Sequence, residues 1–283
     1  MSITLPLAVM QQWSKNVIDL RHLLHDFTIA TDHSPFLRWD TALEQEDGAG
    51  IRVALLDSGI QLQHPLLKGA QIQARDFTGS GGVFDRSGHG TKGAALLVGQ
   101  TDLRGLVPAC TLLVGKVLGG DRETSAVAIA QGIRWALAQG AQVIALPLGR
   151  RQSSPLVQQA VRQALAKGCK IFAAAGNYGV DVCLFPARLP GVVAVSATTL
   201  AGVPLSWCCQ SQVDCYAPGQ DVFPSDLAGG SSINGSSAAT VLAAGVAALR
   251  MARSAKTRDE VDWRSSFDQT QLTSASSSDS SSK

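Results

Sequence analysis

The stretch IRVALLD, residues 51–57, decides the fold. Val53, Ala54, Leu55 and Leu56 form an unbroken apolar run that ends on an acid, Asp57. A strand with one wet face alternates apolar and polar side chains. An unbroken run rich in branched residues marks a strand buried on both faces. Comparable runs follow in TLLVGKVL (111–118), AQVIALPL (141–148), KIFAAAG (170–176) and GVVAVSAT (191–198). Helical patterns lie between them in SAVAIAQGIRWALAQG (125–140) and SPLVQQAVRQALAKG (154–168). Strands alternating with helices predict an α/β fold with a mostly parallel central sheet flanked by helices on both faces. Sites in such sheets collect beyond the carboxyl ends of the strands, where Asp57 stands.

Composition narrows the function classes. The chain has 283 residues, 45% of them hydrophobic, and a net charge of +2. That length supports one large core. The charge is too small for nucleic acid to be the main partner. No apolar run reaches the roughly 18–20 residues of a membrane span, so no membrane partner is expected. The opening MSITLPLAVMQQW lacks the basic region and small-residue cleavage site of a secretory signal, which makes a cytoplasmic location the expectation. The six cysteines, Cys110, Cys169, Cys183, Cys208, Cys209 and Cys215, include no CxxC pair, which argues against zinc. They are expected to be reduced, buried thiols, with no role assigned to the adjacent Cys208 and Cys209. The oligomeric state is left open.

Three regions divide the chain. Residues 1–35 form an N-terminal extension in which Val9, Trp13, Val17, Leu20 and Leu24 predict an amphipathic helix near 8–26. His22 and His25 on that helix read as a polar edge rather than a metal pair. Residues 36–260 form the main domain. Residues 261–283 are a Ser-rich tail ending in SASSSDSSSK, a composition that predicts disorder.

Three short motifs carry chemistry. LLDSGI places Asp57 at a strand end, SGHGTKGAA places His89 where a Gly-rich loop enters a helix, and NGSSAAT (234–240) places Ser236 and Ser237 at another helix start. Each alone has a structural explanation, since Asp and Ser cap helices and Gly-flanked residues fill turns. Together, the order Asp, His, Ser on a parallel α/β framework is the subtilisin order of a catalytic triad. It does not fit the α/β-hydrolase order, which places a G-x-S-x-G nucleophile first.

From residue 36 to residue 252 the chain resembles the subtilisin-like serine protease (subtilase) family. The likeness rests on VALLDSGIQLQHP, GHGTKGA, GSSAAT, AAAGN and CYAPG, in the family's order. It implies a serine endopeptidase that acts on a polypeptide through an acyl-enzyme. Asp57, His89 and Ser237 are the implied triad, Asn177 the oxyanion donor, and Ser236 stands at the family's Thr position. LGGDRE (118–123) and LPLGR (146–150) align with the segments that sandwich the substrate backbone. Leu118, Gly119 and Gly120 are then expected on one side and Leu146, Pro147, Leu148 and Gly149 on the other. Ala174, Ala175 and Gly176 complete an apolar S1 pocket. A processing protease for a peptide precursor is the finer expectation. The alternative is a catalytically impaired subtilase-fold peptide binder, because Pro147 replaces a common Ser and removes a backbone N–H. No cofactor or metal is expected. The segment between His89 and Val107 is too short for the family's calcium-binding loop and lacks a cluster of oxygen ligands. TLPLAV (4–9) is a candidate cleft-blocking segment, although the helical periodicity favours packing on the domain.

Overall fold

A computed structural model describes residues 17–30, 35–119, 125–223 and 233–257. TLPLAV, Trp13, Gly120 and the Ser-rich tail lie outside the described residues. The described residues open with β1 (Ile18–Asp19) and α1 (Leu20–Ala30), followed by β2 (Arg52–Asp57), β3 (Gln71–Asp76), α2 (His89–Val98) and β4 (Leu103–Arg104). Then come β5 (Thr111–Lys116), α3 (Ala126–Ala138), β6 (Val143–Leu146), α4 (Pro155–Ala166) and β7 (Lys170–Ala174). β8 (Val192–Thr198), β9 (Cys215–Pro218) and α5 (Ser236–Thr257) complete the described elements.

Seven strands form one sheet in the order β3-β5-β2-β6-β7-β8-β9, and every pairing is parallel. The five strands expected from apolar runs are the five inner ones. IRVALLD shows why. Val53 and Leu55 enter the core on the face covered by α2 and α5, while Ala54 and Leu56 enter the core covered by α3 and α4. All four are fully buried. α5 runs across the sheet against β6, β7, β8 and β9 and also touches α2. Its buried Ala238, Ala239, Ala243, Ala244, Gly245, Ala247 and Ala248 let the helix axis lie close to the strands.

The N-terminal helix differs from its expected span. Among the described residues it begins at Leu20 rather than upstream, and it continues to Ala30. Ile18 and Asp19 are extended and pair in parallel with Leu103 and Arg104. Asp19 explains the late start. Its side chain accepts from the Arg21 backbone N–H at 3.0 Å and from Arg21 Nε at 2.8 Å, a helix-start arrangement. Burial pushes the Asp19 carboxyl up, but the bonds from Arg21 outweigh this and hold it below its ordinary value. Leu20, Leu24 and Phe27 are buried, whereas Val17 is exposed.

Candidate active site

The site lies at the carboxyl edge of the inner strands. β2 delivers Asp57, which is fully buried, and α2 begins with His89, which is 9% exposed. His89 Nδ1 lies 2.8 Å from both Asp57 Oδ1 and Oδ2. The Ser58 backbone N–H also donates to Asp57 Oδ1, at 2.6 Å. Facing a carboxylate, Nδ1 carries the proton of the neutral ring, and Nε2 is left as the basic nitrogen. The approach of α2 to the end of β2 needs a glycine. A Cβ on Gly90 would lie 2.3 Å from the Gly59 carbonyl oxygen and 3.2 Å from Asp57 Cβ.

Asp85 holds the start of α2 in place, a role not expected from the sequence. Its Oδ1 accepts from Ser58 Oγ at 2.9 Å, Gly88 N–H at 2.9 Å, and Ser87 N–H and Oγ at 3.1 Å. Its Oδ2 accepts from Thr91 N–H and Thr91 Oγ1 at 2.8 Å. Two of these donors, the Gly88 and Thr91 N–H groups, are ones that a helix start leaves without intrahelical partners. Burial pushes the Asp85 carboxyl up, but the bonds from Thr91, Ser58 and Ser87 outweigh it and hold the group below its ordinary value. The available signal was an acid just before a Gly-rich helix entry, a capping pattern. His64, in the trailing part of the Asp motif, is structural: its Nδ1 accepts from the Leu66 N–H at 3.3 Å.

The two serines of NGSSAAT have different surroundings. Ser236 is 1% exposed. Its Oγ accepts from the Gly176 N–H at 3.2 Å and donates to Asn177 Oδ1 at 2.8 Å, and its backbone N–H donates to the same oxygen at 3.0 Å. Ser237 is half-buried, and its Oγ donates to the Pro147 carbonyl at 2.9 Å. Cys208 adds a third donor to Asn177 Oδ1, its Sγ lying 3.3 Å away. Burial pushes the Cys208 thiol up to about 11, which keeps it protonated as a donor. A backbone N–H demands an acceptor, so Ser236 fixes which end of the amide is oxygen. Asn177 Nδ2 therefore points away from Ser236, and it has no acceptor among the described residues. Gly235, at φ 76°, completes the turn. A Cβ there would meet Asn177 Nδ2 at 2.7 Å and Trp207 Cζ3 at 2.6 Å.

The expected substrate segments sit on the same edge. Leu118 is buried and its N–H donates to the Asp57 carbonyl at 3.1 Å, with half-buried Gly119 next to it. Leu146, Pro147 and Leu148 are buried, and Gly149 is half-buried. Ala174, Ala175 and Gly176 are buried at the end of β7. The Ala175 and Gly176 carbonyls already accept from the N–H groups of Leu184 and Cys209, at 2.7 and 2.9 Å. All six cysteines are buried free thiols. Among the described residues, no group of three His, Cys, Asp or Glu could hold a metal ion, and no helix is long and apolar enough to cross a membrane.

A family model described as the subtilase family matches residues 48–282. The chain belongs to the subtilase family. Thermitase from Thermoactinomyces vulgaris is 34% identical over 218 residues, covering 75% of this chain and 77% of the relative. Subtilisin BL from Lederbergia lenta is 36% identical over 209 residues, covering 71% and 76%. Among solved structures, the patellamide maturation protease PatA aligns with a TM-score of 0.67 at 30% identity, covering 78% of this chain and 84% of that one. The prenylagaramide maturation protease PagA aligns with a TM-score of 0.68 at 27% identity, covering 79% and 84%. As a subtilase the chain is a serine endopeptidase, and its substrate is a peptide.

Proposed function

We propose that Ser237 is the nucleophile of this endopeptidase, His89 its general base and acid, Asp57 the group that orients His89, and Asn177 the oxyanion donor. The observation that carries the reading is His89 Nδ1 held at 2.8 Å from both oxygens of a buried carboxylate, on the sheet edge that also carries Ser237. Substrate pairs as an extended strand between Leu118–Gly119 and Leu146–Gly149, since main-chain bonding suits peptides of varied sequence. Ser237 Oγ leaves the Pro147 carbonyl and attacks the scissile carbonyl carbon as its proton passes to His89 Nε2. Asp57 keeps the ring in the required tautomer and stabilises the imidazolium. The new oxyanion accepts from Asn177 Nδ2 and from the Ser237 N–H, which lies in the first turn of α5 and has no intrahelical partner. The leaving amine takes the proton from His89, and water then hydrolyses the acyl-enzyme by the reverse sequence.

The finer reading is a processing protease that matures a peptide precursor, with neither nucleic acid nor membrane as partner. The likeness to PatA and PagA, both named as maturation proteases, supports it. The reading puts the enzyme in the reducing cytoplasm, supported by six thiols that are all unpaired. A cleavage-site profile on a proteome-derived peptide library tests the processing role. Cuts confined to a short recognition sequence are expected. Indiscriminate digestion of the library contradicts a processing role while leaving the endopeptidase intact.

A further inference from the structure

We propose that Leu184 is a wedge in the floor of the S1 pocket and restricts the residue before the scissile bond to glycine, alanine or serine. The inference rests on the reading above, in which the crevice beside Ser237 receives that side chain. β6 and β7 are parallel neighbours, and beyond their ends the chain forms two walls, one through Gly149 and one through Gly176. Ser237 Oγ bonds to the first wall at Pro147, and Asn177 follows directly on the second. A side chain delivered to Ser237 therefore descends between Gly149 and Gly176.

That space is filled from within. The backbone around residue 184 is strapped to both walls. The Leu184 N–H donates to the Ala175 carbonyl at 2.7 Å, while Phe185 and Arg150 exchange backbone bonds of 2.8 and 2.9 Å. The Leu184 side chain then lies between the glycines. A Cβ on Gly149 would meet Leu184 Cβ and Cδ1 at 2.7 Å each, and a Cβ on Gly176 would meet Leu184 Cγ at 2.7 Å and Cδ1 at 2.9 Å. Both walls must be glycine because one leucine touches both, and Leu184 is only 3% exposed. The walls are also joined farther out. Arg151, two residues past Gly149, places its guanidinium 5.5 Å from the ring centroid of Tyr178, two residues past Gly176. The backbone bonds to both walls fix where Leu184 starts, and close packing between the two glycines holds its side chain there. A large side chain has no floor space, whereas a hydrogen, methyl or hydroxymethyl needs little.

The test is a series of peptide anilides that differ only at the residue before the cleaved bond. The wild-type enzyme is expected to cleave after alanine, glycine or serine with kcat/KM at least about 100-fold above that for phenylalanine or leucine, the range set by pocket fit. Leu184→Ala is expected to raise the phenylalanine-to-alanine ratio of kcat/KM by about 10-fold or more. Leu184→Val, which keeps more of the packing, is expected to shift the ratio in the same direction by less. Efficient wild-type cleavage after phenylalanine or leucine overturns the wedge and leaves the catalytic reading standing. This holds whether or not the Leu184 variants fold. A failure to cleave any member of the series, together with no labelling by a fluorophosphonate, overturns the catalytic reading and the wedge with it.

Discussion

Asp57 and His89 meet inside the protein, whereas Ser237 and Asn177 are half-buried and joined through Ser236. The carboxylate end of the first pair is enclosed: Asp57 is fully buried and binds His89 Nδ1 and the Ser58 N–H, and Ser58 is in turn held by Asp85. The second pair is half open. Asn177 has its oxygen bound by three donors, its amide nitrogen has no acceptor among the described residues, and Ser237 rests on the Pro147 carbonyl. Under the proposed roles, the difference separates two tasks. The acid–base half has only to hold one ring in one tautomer, which favours burial and many short bonds. The oxyanion half has to keep donors unspent until charge develops, yet fixed in direction so that no reorganisation is needed then. Anchoring Asn177 entirely through its oxygen meets both demands.

Substitutions break this contrast to different degrees. The largest loss is expected from Ser237→Ala, about 10⁶-fold in kcat on a peptide substrate, with the melting temperature retained. Ser236→Ala should keep far more activity, because it removes a support rather than the nucleophile. A reversal of these two results would move the nucleophile by one residue. Asn177→Ala should lower kcat by about 10²–10³-fold with little change in KM, the usual cost of one oxyanion donor. A loss confined to KM would show that Asn177 binds ground-state substrate instead.

Asp85→Ala tests the rigid half. It leaves Ser58, Ser87 and Thr91 without their buried acceptor and should cost about 3 kcal/mol of stability, read by denaturant unfolding. The Asp85 carboxyl titrates lower in the folded protein than in the unfolded chain. Its contribution is therefore complete above the unfolded value of about 3.9 and is lost as pH falls through the folded value. The gap in stability between wild type and Asp85→Ala should shrink as the medium is acidified below that point. A constant gap would mean that the carboxylate charge contributes nothing. Cys208→Ala should have the smallest effect, a drop in kcat of about 2- to 5-fold, because a thiol is a weak donor and Ser236 still holds the Asn177 oxygen. Cys208→Ser should recover the loss. If serine does no better than alanine, the thiol acts by packing alone.

The inner sheet could be read from the sequence because burial on both faces leaves an unbroken apolar run. The two edge strands could not. β3, QIQARD, is exposed or half-buried along its whole length, and β9, CYAP, is four residues ending in proline. The residues proposed to act chemically were visible as motifs, since a nucleophile, a base and an acid need particular residue types at particular turns. Residues that support them were not. Asp85 looks like an ordinary loop acid until its six donors are seen around it, Cys208 like half of an unexplained pair, and Leu184 like one more apolar residue. Their roles depend on neighbours distant in sequence. Leu184 acts between Gly149 and Gly176, and Cys208 reaches Asn177 across 31 positions. Glycines at 149 and 176 were expected as pocket walls, but nothing local in the chain indicated what fills the space between them.

The open half of the site is proposed to present Ser237, and only Ser237, to the buried base. Reaction of the native enzyme with a fluorophosphonate, followed by peptide mapping in a mass spectrometer, tests it directly. A single stoichiometric adduct on Ser237 is expected, absent from Ser237→Ala and strongly slowed in His89→Ala. An adduct on Ser236, or a native enzyme that takes up no reagent, would contradict the account.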